Sequence, residues 1–207
     1  MKLLEIPALC EWTLRRTYGP GQTIFLEGDA PNTVYQVVSG VVKLTRCSSQ
    51  GREMIVALAF PGQFIDVVAC LDGQFHGVSA SSLAGSPAVV AAIPRDRALA
   101  HTGLVRHMER AALEELRAQR DWTVSLALER VESRMIAILK MLANGLGEIR
   151  AESYRLPVIL TRQELAELVG ATTETTIRAL SQFRRQGVMQ EKNGWMTLAA
   201  SVCAVAA

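Results

Sequence analysis

The stretch TRQELAELVGATTETTIRALSQFRRQG, residues 161–187, constrains this chain more tightly than any other. Thr161 followed by Glu164 is a capping box: the threonine hydroxyl takes an orphan amide and the glutamate reaches back to the cap. A helix therefore starts after Thr161. Leu165, Ala166, Leu168 and Val169 give it an apolar face, and Gly170 ends it in a turn that needs a left-handed residue. Thr172 caps a second helix, which runs to Gln186 and is closed by Gly187. Two helices joined by so short a turn, with small Ala166 allowing close approach, form a helix-turn-helix. VMQEKNGWMTLAA then reads as strand, Asn193-Gly194 turn and strand, a hairpin with a type I′ signal. Helix-turn-helix plus hairpin is a winged helix.

The second helix must pack through Thr176, Ala179, Leu180 and Phe183, which share a face. Thr173, Glu174, Ile177 and Arg178 lie on the other side of its N-terminal half, and no packing demand explains them. Glu174 and Arg178 are four residues apart, so one reading is an ion pair on a solvated helix. The other is that this half of the helix enters the major groove of DNA, where Arg donates to guanine O6 and N7 and Glu accepts from cytosine N4. Thr161, Arg162, Thr172 and Thr175 stand where hydroxyls, a guanidinium and helix N-termini hold phosphates. Charge alone does not announce DNA: residues 151–207 carry six Lys or Arg against five Asp or Glu.

Upstream the periodicity changes twice. Gly21, Gly28, Gly40, Gly51 and Gly62 punctuate short β-type runs over 23–26, 34–38, 41–45, 54–59 and 88–93. Closely spaced short strands with such turns predict an antiparallel sandwich or barrel, its interior filled by side chains or holding a ligand. From Gly103 to Ala143 there is no proline and no internal glycine, and the segment predicts one long helix. Ala112, Leu116, Gln119, Thr123 and Leu126 recur at 4-3-4-3 spacing. Val124, Leu128, Val131, Met135, Ile138 and Leu142 make a second stripe. Two stripes require two neighbours: one is the helix's own chain, and the other is either a symmetry mate in a short coiled coil, the expected homodimer, or a further part of the same chain. NGLGE at 144–148 breaks the helix. The expected class is α+β, with a β-domain over 1–101, a dimerisation helix over 102–143 and a winged helix-turn-helix over 144–207.

With 207 residues, 49% of them hydrophobic, and a net charge of +2, the chain has an ordinary globular composition. Glu5 and Glu11 interrupt any signal-peptide core, and no apolar run spans a bilayer, so a cytoplasmic protein with no membrane partner is expected. Cys10, Cys47, Cys70 and Cys203 form no C-x-x-C pair and are expected to be mostly reduced, half-buried residues.

The whole chain resembles the superfamily of the cyclic-AMP receptor protein and the fumarate and nitrate reduction regulator, bacterial transcription factors. GPGQTIFLEGDAPNTVYQVVSGVVKLTRCSSQGREMIVALAFPGQFI is similar to the family's β-roll, and TRQELAELVGATTETTIRAL to its helix-turn-helix signature. The resemblance implies a cyclic-nucleotide-binding-like β-roll sensor, a long dimer helix and a winged-helix reader of double-stranded DNA, with RNA polymerase as a further partner. Glu174 and Arg178 match the family's base-reading positions, implying a TGA-type element in each half of an inverted repeat. Thr173 stands where the cyclic-AMP receptor has a further arginine, and Ile177 replaces a serine of the fumarate and nitrate regulator. The dimer seam is expected through Ala112, Leu116, Gln119, Thr123 and Leu126.

The sensor departs from the family pattern. Cyclic-nucleotide binders have Gly-Glu after Phe-Ile and then Arg-Ser for the phosphate. Here Phe64 and Ile65 are followed by Asp66 and Val67, and the second pair is Val78 and Ser79. An anionic phosphate with no arginine is poorly held, so cyclic AMP is not the expected effector. The N-terminal cysteine cluster of an oxygen-sensing iron–sulfur protein is also missing. Phe64, Ile65, Asp66, Val67, Val78, Ser79, Gln119 and Arg120 make the expected effector pocket. The effector has four candidates: a small organic molecule, none, thiol oxidation at Cys47 or Cys70, which needs a depressed thiol pKa, or haem held by His76 and Cys70, although a lone histidine in a glycine-rich loop is more often a surface residue. Two rivals stand beside the regulator. A metal cupin enzyme needs clustered ligands that His76, His101 and His107 do not supply. A ligand-binding dimer whose winged helix mediates only protein contacts is discriminated by replacing Glu174 and Arg178.

Overall fold

The computed structural model describes residues 11–150, 153–157 and 159–199. The chain divides into two compact units between Trp122 and Thr123. In the first, eight strands form two four-stranded antiparallel sheets. β1 (Leu14–Tyr18), β8 (Ala88–Pro94), β3 (Thr33–Ser39) and β6 (Phe64–Ile65) lie in that order in one. β2 (Thr23–Phe25), β7 (Ser79–Ser82), β4 (Val42–Cys47) and β5 (Glu53–Ala59) make the other. The β-branched run in β3 and the turn at Gly40 explain why the chain folds back here. A Cβ on Gly40 would stand 2.3 Å from the Pro87 carbonyl oxygen, and its φ is +77°. Only glycine meets both conditions.

Side chains of both sheets fill the β-domain with two cores. Tyr18, Phe25, Tyr35, Val37, Leu44, Ile65, Val90 and Ala92 belong to one. Val34, Phe64, Val67, Cys70, Ile93, Leu104 and Met108 form the other. The second core joins the sheet to α1 (Val67–Asp72), α2 (Arg95–Leu99) and the first turns of α3 (Thr102–Leu128).

The long uninterrupted helix expected over 102–143 is two helices. α3 ends at Leu128 and α4 runs Val131–Leu146. No glycine or proline marks the break, so it is imposed by tertiary contacts rather than by propensity. Arg130 takes an extended conformation, φ −73° and ψ 157°. The Arg134 guanidinium, buried, donates from Nη1 to the Glu129 carbonyl at 2.8 Å, replacing the helical amide that this oxygen would otherwise receive. Nor does Asn144 stop the helix, which continues through Gly145 to Leu146 and ends on Gly147.

In the second unit β9 (Glu148–Arg150), β10 (Ser153–Pro157), β12 (Trp195–Ala199) and β11 (Met189–Lys192) form an antiparallel sheet, ordered β11-β12-β10-β9. α5 (Arg162–Val169) and α6 (Thr173–Arg185) lie between β10 and β11 in the chain. Asn193 and Gly194 have φ of +51° and +74°, the left-handed pair of a type I′ hairpin. Among the described residues no helix is long and apolar enough to cross a membrane.

Candidate nucleic-acid interface and sensor site

The capping box at Thr161 is formed in full. Glu164 N donates to Thr161 Oγ1 at 3.1 Å, and Thr161 N donates to Glu164 Oε2 at 3.0 Å. Gly170 closes α5 with φ +68°, and Ala171 N reaches back to the Ala166 carbonyl at 3.0 Å, the long bond of a Schellman ending. Thr172 Oγ1 accepts from Thr175 N at 3.2 Å and starts α6. Thr176, Ala179, Leu180 and Phe183 are all buried, while Glu174, Ile177 and Arg178 face outward. Sequence spacing therefore separates the packing stripe of α6 from Glu174, Ile177 and Arg178, whereas Thr173, expected with them, is half-buried.

The outward residues are not idle. Arg178 Nη2 lies 2.8 Å from Glu174 Oε1, with both side chains more than 70% exposed. Thr173, half-buried, donates its hydroxyl to Gln163 Oε1 at 2.8 Å. Exposed ion pairs of this kind contribute at most about 1 kcal/mol, so a base edge can replace the partner at small cost. Arg162 is also engaged: its Nη2 donates to Glu191 Oε2 at 2.9 Å, and Arg184 Nη2 holds the same oxygen. The Glu191 carboxyl is pushed up by burial, but the hydrogen bonds and charges of Arg162 and Arg184 outweigh this and hold it below its ordinary value. No spacing pattern in the chain announces this wing glutamate.

In the β-domain the apolar members of the expected pocket are core residues. Phe64 points into one core and Ile65 into the other, because consecutive side chains of β6 alternate across the sheet, and Val67, on α1, joins Phe64. Val78 packs against the second of these, and Ser79 Oγ accepts from Glu27 N at 2.9 Å. Gln119 Nε2 donates to the Val56 carbonyl at 3.2 Å, and Arg120 is exposed.

The polar focus is Asp66. It has a left-handed backbone, φ 46° and ψ 53°, at the start of α1. Its Oδ2 lies 2.7 Å from His76 Nδ1. His76 is not the surface residue that its glycine-rich loop suggests: it is 3% exposed and stacks on Phe25 with ring centroids 3.8 Å apart. Backbone bonds of His76 to Gly28 and Asp29 pin it to the segment between β2 and β3. Glu115 on α3 adds a second carboxyl, raised above its ordinary value by burial and then by the Asp66 charge. Neither Phe25 nor Glu115 was singled out from the sequence. Glu115 was nonetheless legible, since Met108, Ala111, Ala112, Glu115 and Gln119 share one helical face.

These engagements do not fit a haem held by His76 and Cys70. The Cys70 thiol is fully buried, points to the Thr33 carbonyl at 3.5 Å, and is pushed up to about 12 by burial and by Asp66, far from the thiolate that binds iron. Cys47 is exposed, and Cys10 and Cys203 lie outside the described residues. Among the described residues no three His, Cys, Asp or Glu side chains are grouped to hold a metal ion.

On α3 the expected dimer stripe divides. Ala112 packs on the core of its own β-domain, and Gln119 bonds to β5. Leu126 is half-buried and Thr123 exposed. The exposed large apolar side chains of this helix are Leu113, Leu116, Val124 and Leu128, the last 81% exposed.

Residues 15–100 match the family described as cyclic nucleotide-binding domain, and residues 133–199 the Crp-like helix-turn-helix domain. The chain is 30% identical over 183 residues to the nitrogen fixation regulation protein FixK of Bradyrhizobium diazoefficiens, covering 87% of this chain and 76% of that protein. It is 31% identical over 191 residues to the cyclic AMP receptor protein of Thermus thermophilus, covering 90% and 84%. Among solved structures, FixK2 from Bradyrhizobium japonicum has the same fold, with a TM-score of 0.79 at 23% identity over 94% of this chain and 98% of that one.

Proposed function

The chain belongs to the Crp/Fnr family of transcription regulators, and from that premise we propose that it works as a homodimer reading an inverted repeat with TGA-type half-sites. One observation carries this reading. α6 buries Thr176, Ala179, Leu180 and Phe183 while Glu174, Ile177 and Arg178 stay outside every core. Arg178 reads guanine and Glu174 reads cytosine once their mutual ion pair opens. Thr173 and Ile177 border the same base pairs, and Thr161, Arg162, Thr172 and Thr175 hold phosphates. Recognition helices about 34 Å apart in the dimer meet successive major grooves. RNA polymerase is the onward partner, and the cytoplasm the place of action.

The sensor responds to something other than cyclic AMP. Asp66 is committed to His76, Ser79 to the Glu27 amide, and Val78 to the core, so these positions offer a cyclic phosphate no cation. An effector acts here by its differential affinity for the dimer geometry in which the two reading heads match the repeat.

The test is fluorescence anisotropy at fixed salt, with a TTGA-N6-TCAA duplex against a scrambled one. The wild type is expected to prefer the repeat, and cyclic AMP to leave that preference unchanged. Glu174→Ala and Arg178→Ala should each cost about 1–3 kcal/mol on the repeat and little on the scrambled duplex. Survival of the preference in both variants would sink the base-reading assignment.

A further inference from the structure

The wing carries a carboxylate where the DNA-binding reading calls for positive charge. Glu191 lies on β11, two residues before the hairpin turn, and its Oε2 alone receives both Arg162, from the first turn of α5, and Arg184, from the last turn of α6. Two guanidiniums converging on one anionic oxygen is how proteins hold a phosphate. All three side chains keep solvent access, with 34%, 43% and 26% of the side-chain surface exposed for Arg162, Arg184 and Glu191. An incoming phosphate oxygen therefore reaches the same donors without unfolding anything. A brace for the wing would not need this arrangement: the hairpin is already held by β11 pairing with β12 and by Met189, Met196 and Leu198 in the core.

We propose that Glu191 is an intramolecular stand-in for a DNA phosphate, occupying Arg162 and Arg184 in the free protein and displaced by the backbone of the bound duplex. The inference rests on the DNA-binding reading and adds a regulator of it. The competing carboxylate lowers affinity for any duplex, whatever its sequence, because it acts on phosphate contacts and not on base edges. In the free protein the triad carries one net positive charge, and without Glu191 it carries two, so removing the carboxylate also steepens the salt dependence.

The experiment compares wild type, Glu191→Gln, Arg162→Gln/Arg184→Gln and the triple variant. Two readouts serve: elution from immobilised heparin, which needs no operator sequence, and anisotropy on the repeat and scrambled duplexes over a range of salt. Glu191→Gln is expected to elute at higher salt and to bind both duplexes about 5- to 10-fold tighter. Its slope of log K on log salt should be more negative by about 0.9. The gain should vanish when both arginines are glutamine. Unchanged elution would overturn the proposal. So would a gain that persists without the arginines, since that is ordinary charge repulsion, or a lowered melting temperature with no gain in affinity, which marks a brace. Failure of the wild type to prefer the repeat counts against the base-reading assignment instead, and the heparin comparison still decides the role of Glu191.

Discussion

At Asp66 a side chain occupies a backbone conformation that glycine usually takes, and the departure from the family's Gly-Glu pair becomes intelligible in that light. Asp is among the few residues that tolerate the left-handed region, and here its carboxylate also meets His76. Asp66→Ala loses both advantages and should destabilise the β-domain by about 2 kcal/mol, seen as a lowered melting temperature, whereas Asp66→Asn should retain most of the stability. Glu115 gives a pH-dependent counterpart. Its folded pKa is raised, so between the unfolded and folded values the folded state binds the proton more tightly, and stability falls as pH rises through that window. Glu115→Gln should therefore raise the melting temperature at neutral pH, with the gain disappearing once the pH drops below the ordinary glutamate range. A gain equal at all pH values would refute the burial account. The identity of position 66 was readable in the sequence, but its partner was not. The histidine comes from ten residues away, across α1 and a loop, and a linear pattern carries no sign of ring stacking on Phe25.

Between residue and fold, the break separating α3 from α4 shows where helix propensity loses. The run through Leu128, Glu129, Arg130 and Val131 contains only acceptable helix formers, and periodicity predicts continuity. One buried guanidinium decides otherwise: Arg134 satisfies the Glu129 carbonyl at 2.8 Å and the Val169 carbonyl at 2.9 Å, and reaches toward Gly170 at 3.5 Å. The end of α3 and the turn of the helix-turn-helix thus share a single side chain. Arg134→Met leaves the buried Val169 carbonyl without this donor and frees the Glu129 carbonyl, and about 3 kcal/mol of destabilisation is expected by denaturant unfolding of this unit. Faster amide exchange in α5 should accompany it. Arg134→Lys should recover only part of the loss, because an ammonium cannot reproduce a planar fork. By contrast the capping box, the closing glycines and the Asn193-Gly194 hairpin were all legible, since each is a local device whose residues lie within a few positions of one another.

For the whole molecule, the β-domain strands with β-branched runs were readable, whereas β1, β6, β7 and β9 were not. Leu14–Tyr18 carries two arginines and Ser79–Ser82 consists only of serine and alanine, so their pairing with β8 and with β2 and β4 is decided by partners distant in the chain. Assembly belongs to this scale too. Leu116 and Leu128 are large apolar side chains left in solvent on α3. Burying a leucine contributes roughly 1.5–3 kcal/mol, so Leu116→Glu with Leu128→Glu should weaken the proposed dimer by tenfold or more in sedimentation equilibrium, and the preference for an inverted repeat should fall with it. A monomeric wild type would refute the seam. The division of labour on α6 bears on how such a protein diverges. Folding draws on Thr176, Ala179, Leu180 and Phe183, while Glu174, Ile177 and Arg178 contribute almost nothing to it. Substitution at those three positions is thus nearly neutral for stability, and, on the proposed base-reading role, duplicated copies of the gene are free to acquire new operators without first having to be rescued by compensating mutations.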